Sequence, residues 1–329
     1  MKRICFMGTA SFALPSLRAL IASEKYKPVV VVTQLDKKVG RKQELTMPEP
    51  KKLALEAGIP CLQFVSCKDP SSVAALADYD IDLIVTAAYG QILPEAMLNL
   101  PKCGAINLHG SLLPKYRGAS PIQTAILNGD AESGVTIMKM VKAMDAGCIY
   151  QQFSLPISEN MTYSDLEADL AELVAKNLVA FLDRYFAKQV VGKEQDAAKV
   201  TFCHMLKRED GLIDWSETAQ NIHNKIRAFY PWPNAYSSYK GKTLKIYQSR
   251  LVDLANLPDN LSATVKHNLD SLALNKQDLA SVVLANKGRL IVGTGDGLLE
   301  ICELQFAGSK CLLAKEVAHN FALLSQLNS

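Results

Sequence analysis

Residues 29–32, four consecutive valines, place the strongest constraint on how this chain can fold. A strand whose side chains are all apolar is buried on both faces, as in parallel sheets covered by helices. Three further strand-like segments, residues 3–7, 81–86 and 105–108, alternate with helix-like patterns such as the leucine-bearing face of residues 14–21. Such alternation is typical of βαβ units. We therefore predict an α/β first half with a mainly parallel sheet.

A long helix is predicted to close this first domain. Ser164 and Glu167 have the spacing of a capping box, and the amphipathic pattern that follows extends to Tyr185. Residues 187–199 are polar and lose this periodicity, which is typical of a connection between domains. We predict a first domain over residues 1–189 and a linker over residues 190–206.

The rest of the chain, residues 207–329, has the pattern of a small β domain. Short strand-like segments separated by turns replace the long helices. Residues 288–304 indicate a hairpin, because the Asp296-Gly297 pair suits a tight turn between two apolar runs. We predict that this second domain is a small β-barrel.

Composition excludes several classes of protein. The eight cysteines contain no C-x-x-C pair, which favours reduced thiols in a cytoplasmic protein over disulfides or a metal site. No apolar run reaches about 18 residues, so we expect no membrane span. The first strand-like segment begins at residue 3, which leaves no room for a leader peptide. The loop at Gly8 follows a strand but lacks the further glycines of a dinucleotide-binding fingerprint.

Charge is concentrated in one tract of the second domain. The formal net charge of +3 is too small to indicate nucleic-acid binding by itself. Residues 218–252, however, contain no acidic side chain and interleave aromatic residues with bases. This composition fits a surface that follows a nucleic-acid backbone, and it fits a solvated sheet face with core aromatics equally well. The bases of the tract are Lys225, Arg227, Lys240, Lys242, Lys245 and Arg250.

An amide, an imidazole and a carboxylate form the candidate catalytic group. Asn107 and His109 alternate along a short apolar segment, so both side chains emerge on one face of a strand end. Asn can donate to a developing oxyanion, His titrates near neutrality, and Asp145 could orient the ring. A strand end with capping polar residues would be the more common explanation of a lone N-x-H, but the Gly-Ser-Leu-Leu-Pro run that follows and the downstream Asp145 favour a catalytic group. These residues leave open whether His109 or Asp145 accepts the proton.

The same residues carry a family resemblance. The string NLHGSLLPKYRG at residues 107–118 resembles the signature of the 10-formyltetrahydrofolate-dependent formyltransferases. Further matches, at Gly8-Thr9 and at residues 88–94, 134–136 and 229–233, extend the resemblance over nearly the whole chain. Within that family the chain is most similar to the members that act on methionyl-tRNA. The resemblance implies a Rossmann-like catalytic domain followed by an OB-like barrel.

The resemblance also implies roles for individual residues. It assigns catalysis to Asn107, His109 and Asp145, with no metal. It places Ser111, Leu112, Leu113 and Pro114 along the folate site, and the backbone of Gln91, Ile92 and Leu93 against the pterin. Apolar walls with backbone hydrogen-bonding groups are what a flat heteroaromatic ring requires.

Acceptor recognition is assigned to a basic loop. Residues 36–45 are too polar for a core and too long for a short βα turn, so we expect a loop that is functional or disordered. The resemblance implies that this loop engages the acceptor arm of tRNA, with Arg41 as its functional arginine. The residues predicted to bind tRNA are Arg41, Lys42, Lys38, Lys225, Arg227, Lys240 and Lys242.

These features predict transfer of formyl from 10-formyltetrahydrofolate to initiator methionyl-tRNA by a cytoplasmic, monomeric enzyme. The nearest alternative keeps the chemistry and changes the acceptor to a small amine, such as a glycinamide ribonucleotide or an amino sugar nucleotide. A hydrolase that releases formate from the same folate, and a non-catalytic RNA-binding module, are further alternatives. The basic loop and tract argue against a small acceptor, and the Asn/His/Asp group argues against a binding module.

Overall fold

The computed structural model describes residues 1–40, 43–272, 280–286, 288–323 and 325–327. The strands are β1 (Ile4–Gly8), β2 (Pro28–Thr33), β3 (Lys37–Val39), β4 (Glu44–Thr46), β5 (Cys61–Gln63), β6 (Leu83–Ala87), β7 (Ala105–His109), β8 (Arg117–Gly118), β9 (Glu132–Lys139), β10 (Ile149–Pro156), β11 (Phe202–Cys203), β12 (Ala235–Tyr239), β13 (Lys242–Leu251), β14 (Val282–Asn286), β15 (Arg289–Gly293), β16 (Leu298–Phe306) and β17 (Leu312–Leu313). The helices are α1 (Leu14–Ile21), α2 (Glu49–Glu56), α3 (Pro70–Ala77), α4 (Glu95–Leu98), α5 (Pro121–Leu127), α6 (Tyr163–Phe186), α7 (Ala219–Ala228), α8 (Asp259–Leu272) and α9 (Ala314–Val317).

The first unit is built on a seven-stranded sheet of order β10-β9-β7-β6-β1-β2-β5. The strands from β7 to β5 pair in parallel, and β9 runs antiparallel to its neighbours β7 and β10. All five residues of β1 are buried, as are Val30, Val31 and Val32 of β2. Burial on both faces is the outcome that the valine run predicts, and the α/β prediction is confirmed.

The basic loop contains secondary structure that its sequence did not indicate. β3 and β4 pair as an antiparallel hairpin, with Lys37 opposite Thr46. Each strand has only three residues, which is too short for a period-2 pattern to be recognised. The prediction of a loop without regular structure is therefore wrong for these strands. Arg41 and Lys42, to which the sequence assigns tRNA contacts, lie outside the described residues.

The predicted linker has fixed partners in the first unit. The chain divides into one unit of Met1–Ile122, Glu132–Pro156 and Asp165–His204, and a second of Gln123–Ala131, Ile157–Ser164 and Met205–Ser329. Within the first unit, Lys193 and Ile149 exchange backbone hydrogen bonds of 2.8 Å, and β11 pairs in parallel with β8. These are backbone contacts, which leave no side-chain periodicity in the sequence. The sequence division at residues 189 and 206 remains a prediction.

An antiparallel sheet of order β12-β13-β16-β15-β14, with β17 on β16, forms the second unit. The predicted hairpin is confirmed as β15 and β16. The last described residues join the two ends of this sheet, since Ser238 N donates to Leu327 O at 3.1 Å and Leu327 N donates to Ala280 O at 3.0 Å. This segment thus closes the sheet into the small barrel that the sequence predicts.

Among the residues that the structure describes, none of the helices has the length and apolarity needed to cross a membrane. In that same part of the chain, no cluster of three or more His, Cys, Asp or Glu side chains is placed to hold a metal ion.

Closure by this segment makes Leu327 a residue on which the second unit depends. Its side chain is 0% exposed and lies in the same core cluster as Trp215 and Ile246. Leu327→Ala should therefore lower the free energy of unfolding of this unit by about 2–5 kcal/mol, because it leaves a cavity in the core. Leu323→Ala is the control, since Leu323 is 52% exposed. Urea denaturation of the full chain measures both, and equal effects would contradict the closure.

Candidate active site

The sheet places Asn107 and His109 on one face of β7. Asn107 lies opposite Thr86 of β6, and His109 lies opposite Thr136 of β9. Because side chains alternate along a strand, the two residues point to the same side. The residues between and before them, Ile106 and Leu108, are buried in the core on the other side. The structure thus confirms the strand geometry on which the sequence prediction depends.

Thr86 fixes the orientation of the Asn107 carboxamide. The Thr86 hydroxyl donates to Asn107 Oδ1 at 2.8 Å, and Thr86 itself is buried. With its oxygen held in this way, the carboxamide presents its Nδ2 hydrogens on the opposite side. An amide donor fixed in advance is the arrangement that stabilises a developing oxyanion.

Both ring nitrogens of His109 face polar groups. Nε2 lies 2.9 Å from the carbonyl oxygen of Tyr116, and Nδ1 lies 3.7 Å from Asp145 Oδ1. A carbonyl oxygen only accepts, so Nε2 carries a hydrogen and Nδ1 is the ring atom free to gain or lose one. A separation of 3.7 Å is too long for a hydrogen bond, but at this distance a carboxylate attracts a protonated ring. His109 is only 5% exposed, which keeps this attraction poorly screened.

Asp145 is held in place by backbone contacts at a tight turn. Its φ is +50°, a left-handed conformation that Asp adopts more readily than most residues. Gly118 N donates to Asp145 Oδ2 at 2.9 Å, which leaves Oδ1 toward His109. Gly147 permits the turn, because a Cβ there would overlap the carbonyl oxygen of Lys139. The structure thus brings Asp145 to His109 from a separate loop.

The loop that supplies Tyr116 and Gly118 is supported by residues from the predicted linker. Thr201 Oγ1 accepts from Tyr116 N at 2.9 Å, and Thr201 O accepts from Arg117 N at 2.9 Å. Gly118 has a φ of +129°, and a Cβ at this position would overlap the carbonyl oxygen of Cys203. A glycine is therefore required for β8 and β11 to approach as closely as they do.

The four residues assigned to folate divide into two kinds. Ser111 and Leu113 are buried, and the Ser111 hydroxyl donates to Lys115 O at 2.7 Å, so their side chains support the loop from inside. Leu112 and Pro114 are partly exposed. Thr136 anchors the loop to β9, since its hydroxyl is 3.1 Å from Leu113 N and also contacts Ser111 O.

The second segment that the resemblance assigns to folate follows β6. The Gln91 carboxamide is occupied within the fold, because Oε1 accepts from Cys67 N at 2.9 Å and Nε2 donates to Phe64 O at 3.1 Å. Leu93 is buried, whereas Ile92 is 65% exposed. Ile92 therefore offers an apolar surface at the carboxyl end of a parallel strand, where open α/β sheets bind their ligands.

Most of the described bases assigned to tRNA lie on surfaces. Lys38 on β3 is exposed, and Lys240 and Lys242 flank the exposed turn between β12 and β13. Lys225 is partly covered: its ammonium donates to Leu212 O at 3.0 Å and lies 3.8 Å from a Glu217 carboxylate oxygen.

Arg227 requires a correction. It is only 6% exposed, and its guanidinium donates to Asn224 Oδ1, to Ser158 O and to Met161 O. The composition of the tract cannot distinguish an arginine on the surface from one on the buried side of α7. Arg227 holds residues 158–161 against α7, and its position does not support the predicted contact with tRNA.

Sequence reasoning missed several groups that contact the candidate catalytic residues. Thr86 could have been noticed as a polar residue in an otherwise apolar strand segment. The Tyr116 carbonyl and the Gly118 N–H belong to the backbone, so their contribution is independent of residue identity. No pattern in the sequence could have identified them.

These features agree with the comparisons with known proteins. The chain belongs to the formyl transferase family: the family model described as formyl transferase matches residues 1–182, and the model of its C-terminal domain matches residues 205–322. A methionyl-tRNA formyltransferase of Geobacter metallireducens is 40% identical over 314 residues, which cover 95% of this chain and 94% of the relative. One from Listeria innocua is 43% identical over 253 residues, covering 77% and 80% of the two chains.

Solved structures share the fold. A sugar 3N-formyl transferase crystallised with dTDP and 5-N-formyl-THF superposes with a TM-score of 0.63 at 22% identity, covering 94% of this chain and 99% of its own. A methionyl-tRNA formyltransferase from Clostridium thermocellum gives a TM-score of 0.55 at 15% identity over 77% of this chain and 94% of its own. At these identities the likeness concerns the fold.

Buried His223 predicts a pH dependence of stability. Its Nδ1 lies 2.9 Å from Ser249 Oγ and its Nε2 lies 3.1 Å from Glu159 O. Burial lowers the pKa of His223, and the neighbouring Arg227 lowers it further. The unfolded chain takes up a proton near pH 6.5 whereas the folded chain resists it, so stability is lost as the pH falls below about 6.5.

His223→Gln should reduce this loss, because glutamine stays neutral. Urea denaturation at pH 7.5 and pH 5.5 compares the two proteins, with the exposed His319→Gln as the control. An equal loss of stability in wild type and His223→Gln would show that this ring does not carry the effect.

Proposed function

We propose that this protein transfers the formyl group of 10-formyltetrahydrofolate to the amino group of initiator methionyl-tRNA, giving N-formylmethionyl-tRNA. The observation that carries the chemistry is the buried His109 ring, held by the Tyr116 carbonyl with Asp145 at its other nitrogen. The choice of acceptor rests on relatives named methionyl-tRNA formyltransferase, which match both halves of the chain.

The reaction exchanges one C–N bond for another. The amino nitrogen attacks the formyl carbon, and a tetrahedral intermediate forms with negative charge on its oxygen. The bond to N10 of the folate then breaks, and one proton moves from the amine to N10. Asn107 Nδ2 donates to the oxyanion, which is worth about 3 kcal/mol when the donor is aligned.

Proton transfer falls to the Nδ1 side of His109. Nε2 keeps its hydrogen because it donates to a carbonyl oxygen, so Nδ1 is the position that takes the amine proton and returns it to N10. The Asp145 carboxylate stabilises the imidazolium formed between these steps. In this scheme His109 is the proton acceptor and Asp145 acts by its charge.

The folate lies against two loops of the first unit. Ile92, Leu112 and Pro114 supply apolar surface, and backbone groups between residues 91 and 93 hold the edge of the pterin. Ser111 and Leu113 keep the shape of the loop. The donor is a co-substrate, and no step of this scheme requires a metal.

Exposed bases are assigned to the tRNA. Lys38 on β3 and Lys240 and Lys242 at the turn between β12 and β13 supply exposed charge. Lys225, Arg41 and Lys42 are assigned the same role. We further propose that the enzyme works as a monomer in the cytoplasm, where its acceptor is made.

An acceptor comparison tests the function. Labelled 10-formyltetrahydrofolate is supplied with charged initiator tRNA, with glycinamide ribonucleotide or an amino sugar nucleotide, or with water alone. We expect transfer to methionyl-tRNA. Transfer only to a small amine, or release of formate without an acceptor, would replace the proposal by the corresponding alternative.

Substitution of the proposed catalytic residues should lower the rate of formyl transfer and leave tRNA binding intact. In the same assay Asn107→Ala, His109→Ala and Asp145→Ala should each reduce kcat by about a hundredfold or more, because the first two remove groups that act on the reacting atoms and the third removes the charge that stabilises the imidazolium. tRNA affinity should stay nearly unchanged. Exposed Asn99→Ala and His319→Ala are the controls. Near-normal turnover of any of the three variants would remove that residue from the mechanism.

Arg41 should act on placement of the acceptor. A guanidinium makes paired phosphate contacts that a neutral side chain cannot, so Arg41→Ala should lower kcat/KM for methionyl-tRNA more than Lys37→Ala does. Lys37 is a suitable comparison, because its ammonium already donates to Gln34 Oε1 at 2.8 Å. Folate affinity, measured by titration, should be the same in both variants. A silent Arg41→Ala, or one that weakens folate binding, would contradict the assignment.

A further inference from the structure

Gln195 uses its whole carboxamide to connect two loops of the first unit. Nε2 donates to the carbonyl oxygens of Asp145 and Gly147, both at 2.8 Å. Oε1 accepts from Arg117 Nε at 3.0 Å and from Arg117 Nη2 at 2.8 Å. Two N–H donors and two lone pairs are the full capacity of the group, so every hydrogen-bonding position of this amide is engaged.

The two loops that Gln195 joins are the ones that contact His109. One carries Asp145, whose carboxylate faces His109 Nδ1. The other carries Arg117, and the residues on either side of it supply the Tyr116 carbonyl to Nε2 and the Gly118 N–H to Asp145. A side chain that fixes the spacing of these loops therefore fixes both contacts of the imidazole.

We propose that Gln195 is a positioning residue that sets the geometry of the His109–Asp145 pair. The proposal rests on the proposed function, because it assigns an effect on turnover to a residue that touches neither the folate nor the acceptor in that scheme. Gln195 holds the carbonyl group of Asp145 itself, at the residue where the backbone is left-handed. Such conformations persist where the surroundings hold them, and this amide is one of the groups that does so.

The chemistry requires an amide at this position. A glutamate of the same length would keep, and strengthen, the contact with the Arg117 guanidinium. It would lose both donors, and it would place a negative charge against the two carbonyl oxygens of residues 145 and 147. A methionine would lose contacts on both sides. The two substitutions therefore separate support of the Asp145 loop from simple anchoring of Arg117.

The test compares Gln195→Met, Gln195→Glu and the control Gln189→Met, whose residue is exposed in the same stretch of chain. We expect both substitutions of Gln195 to lower kcat by about ten- to a hundredfold, the range in which small displacements of catalytic groups act. KM for the folate and for methionyl-tRNA should stay the same, and each variant should keep a cooperative unfolding transition. Gln195→Glu keeps only the contact with Arg117. Near-normal kcat in this variant would overturn the proposal, because it would show that this contact is sufficient for turnover.

A double-mutant cycle adds a measurement that a general structural effect would not satisfy. If Gln195 acts through Asp145, Gln195→Met should cause little further loss of kcat in an Asp145→Ala background. If Gln195→Met lowers kcat by the same factor in the Asp145→Ala background as in the wild type, the proposal is overturned.

Failure of the proposed function is recognised separately, as a wild-type protein that does not formylate methionyl-tRNA. The ring ¹⁵N resonances of His109 then test the geometry without any substrate. We expect them to shift in Gln195→Glu and to stay in place in Gln189→Met. Unchanged resonances in Gln195→Glu would overturn the positioning role whatever reaction the protein catalyses.

Discussion

The hydrogen bond from His109 Nε2 to the Tyr116 carbonyl is the contact on which the site depends. It fixes which ring nitrogen holds a permanent hydrogen, and so it fixes which one can exchange a proton. This hydrogen bond also defines what Asp145 can do, because its carboxylate lies next to Nδ1, the nitrogen left to exchange a proton. Without the carbonyl the ring could rotate or change tautomer, and the same three side chains would not define one direction of proton movement.

The sheet explains why this contact can be built at all. β7 is flanked by β6 and β9, so its carboxyl end is held from both sides while Asn107 and His109 emerge together on one face. Loops can then reach the strand end from distant parts of the sequence. The sheet fixes the positions of Asn107 and His109, and the backbone of the loops supplies the polar groups that contact His109 and Asp145.

Much of this could be predicted from sequence, and the limits are physical. The strand at residues 29–32 can be recognised from its run of apolar side chains. Asn107 and His109 can be recognised from the chemistry of their functional groups. The Tyr116 carbonyl and the Gly118 N–H do not, because every residue carries such groups. Arg227 was misplaced because composition gives the number of charges and not the side of a helix that bears them. Gln195 lies in a stretch that resembles a flexible connection, and only its contacts distinguish it from its exposed neighbours.

The pairing of β8 with β11 also has a consequence for synthesis of the chain. Thr201 follows Tyr116 by 85 positions, yet it holds the backbone of the loop that orients His109. A nascent or prematurely terminated chain ending near residue 190 would contain Asn107, His109 and Asp145 and could form the seven-stranded sheet. It would still lack the strand that completes the active-site loop. The loop that orients His109 can therefore be completed only once residues 201–203, at the end of the first unit, have been synthesised.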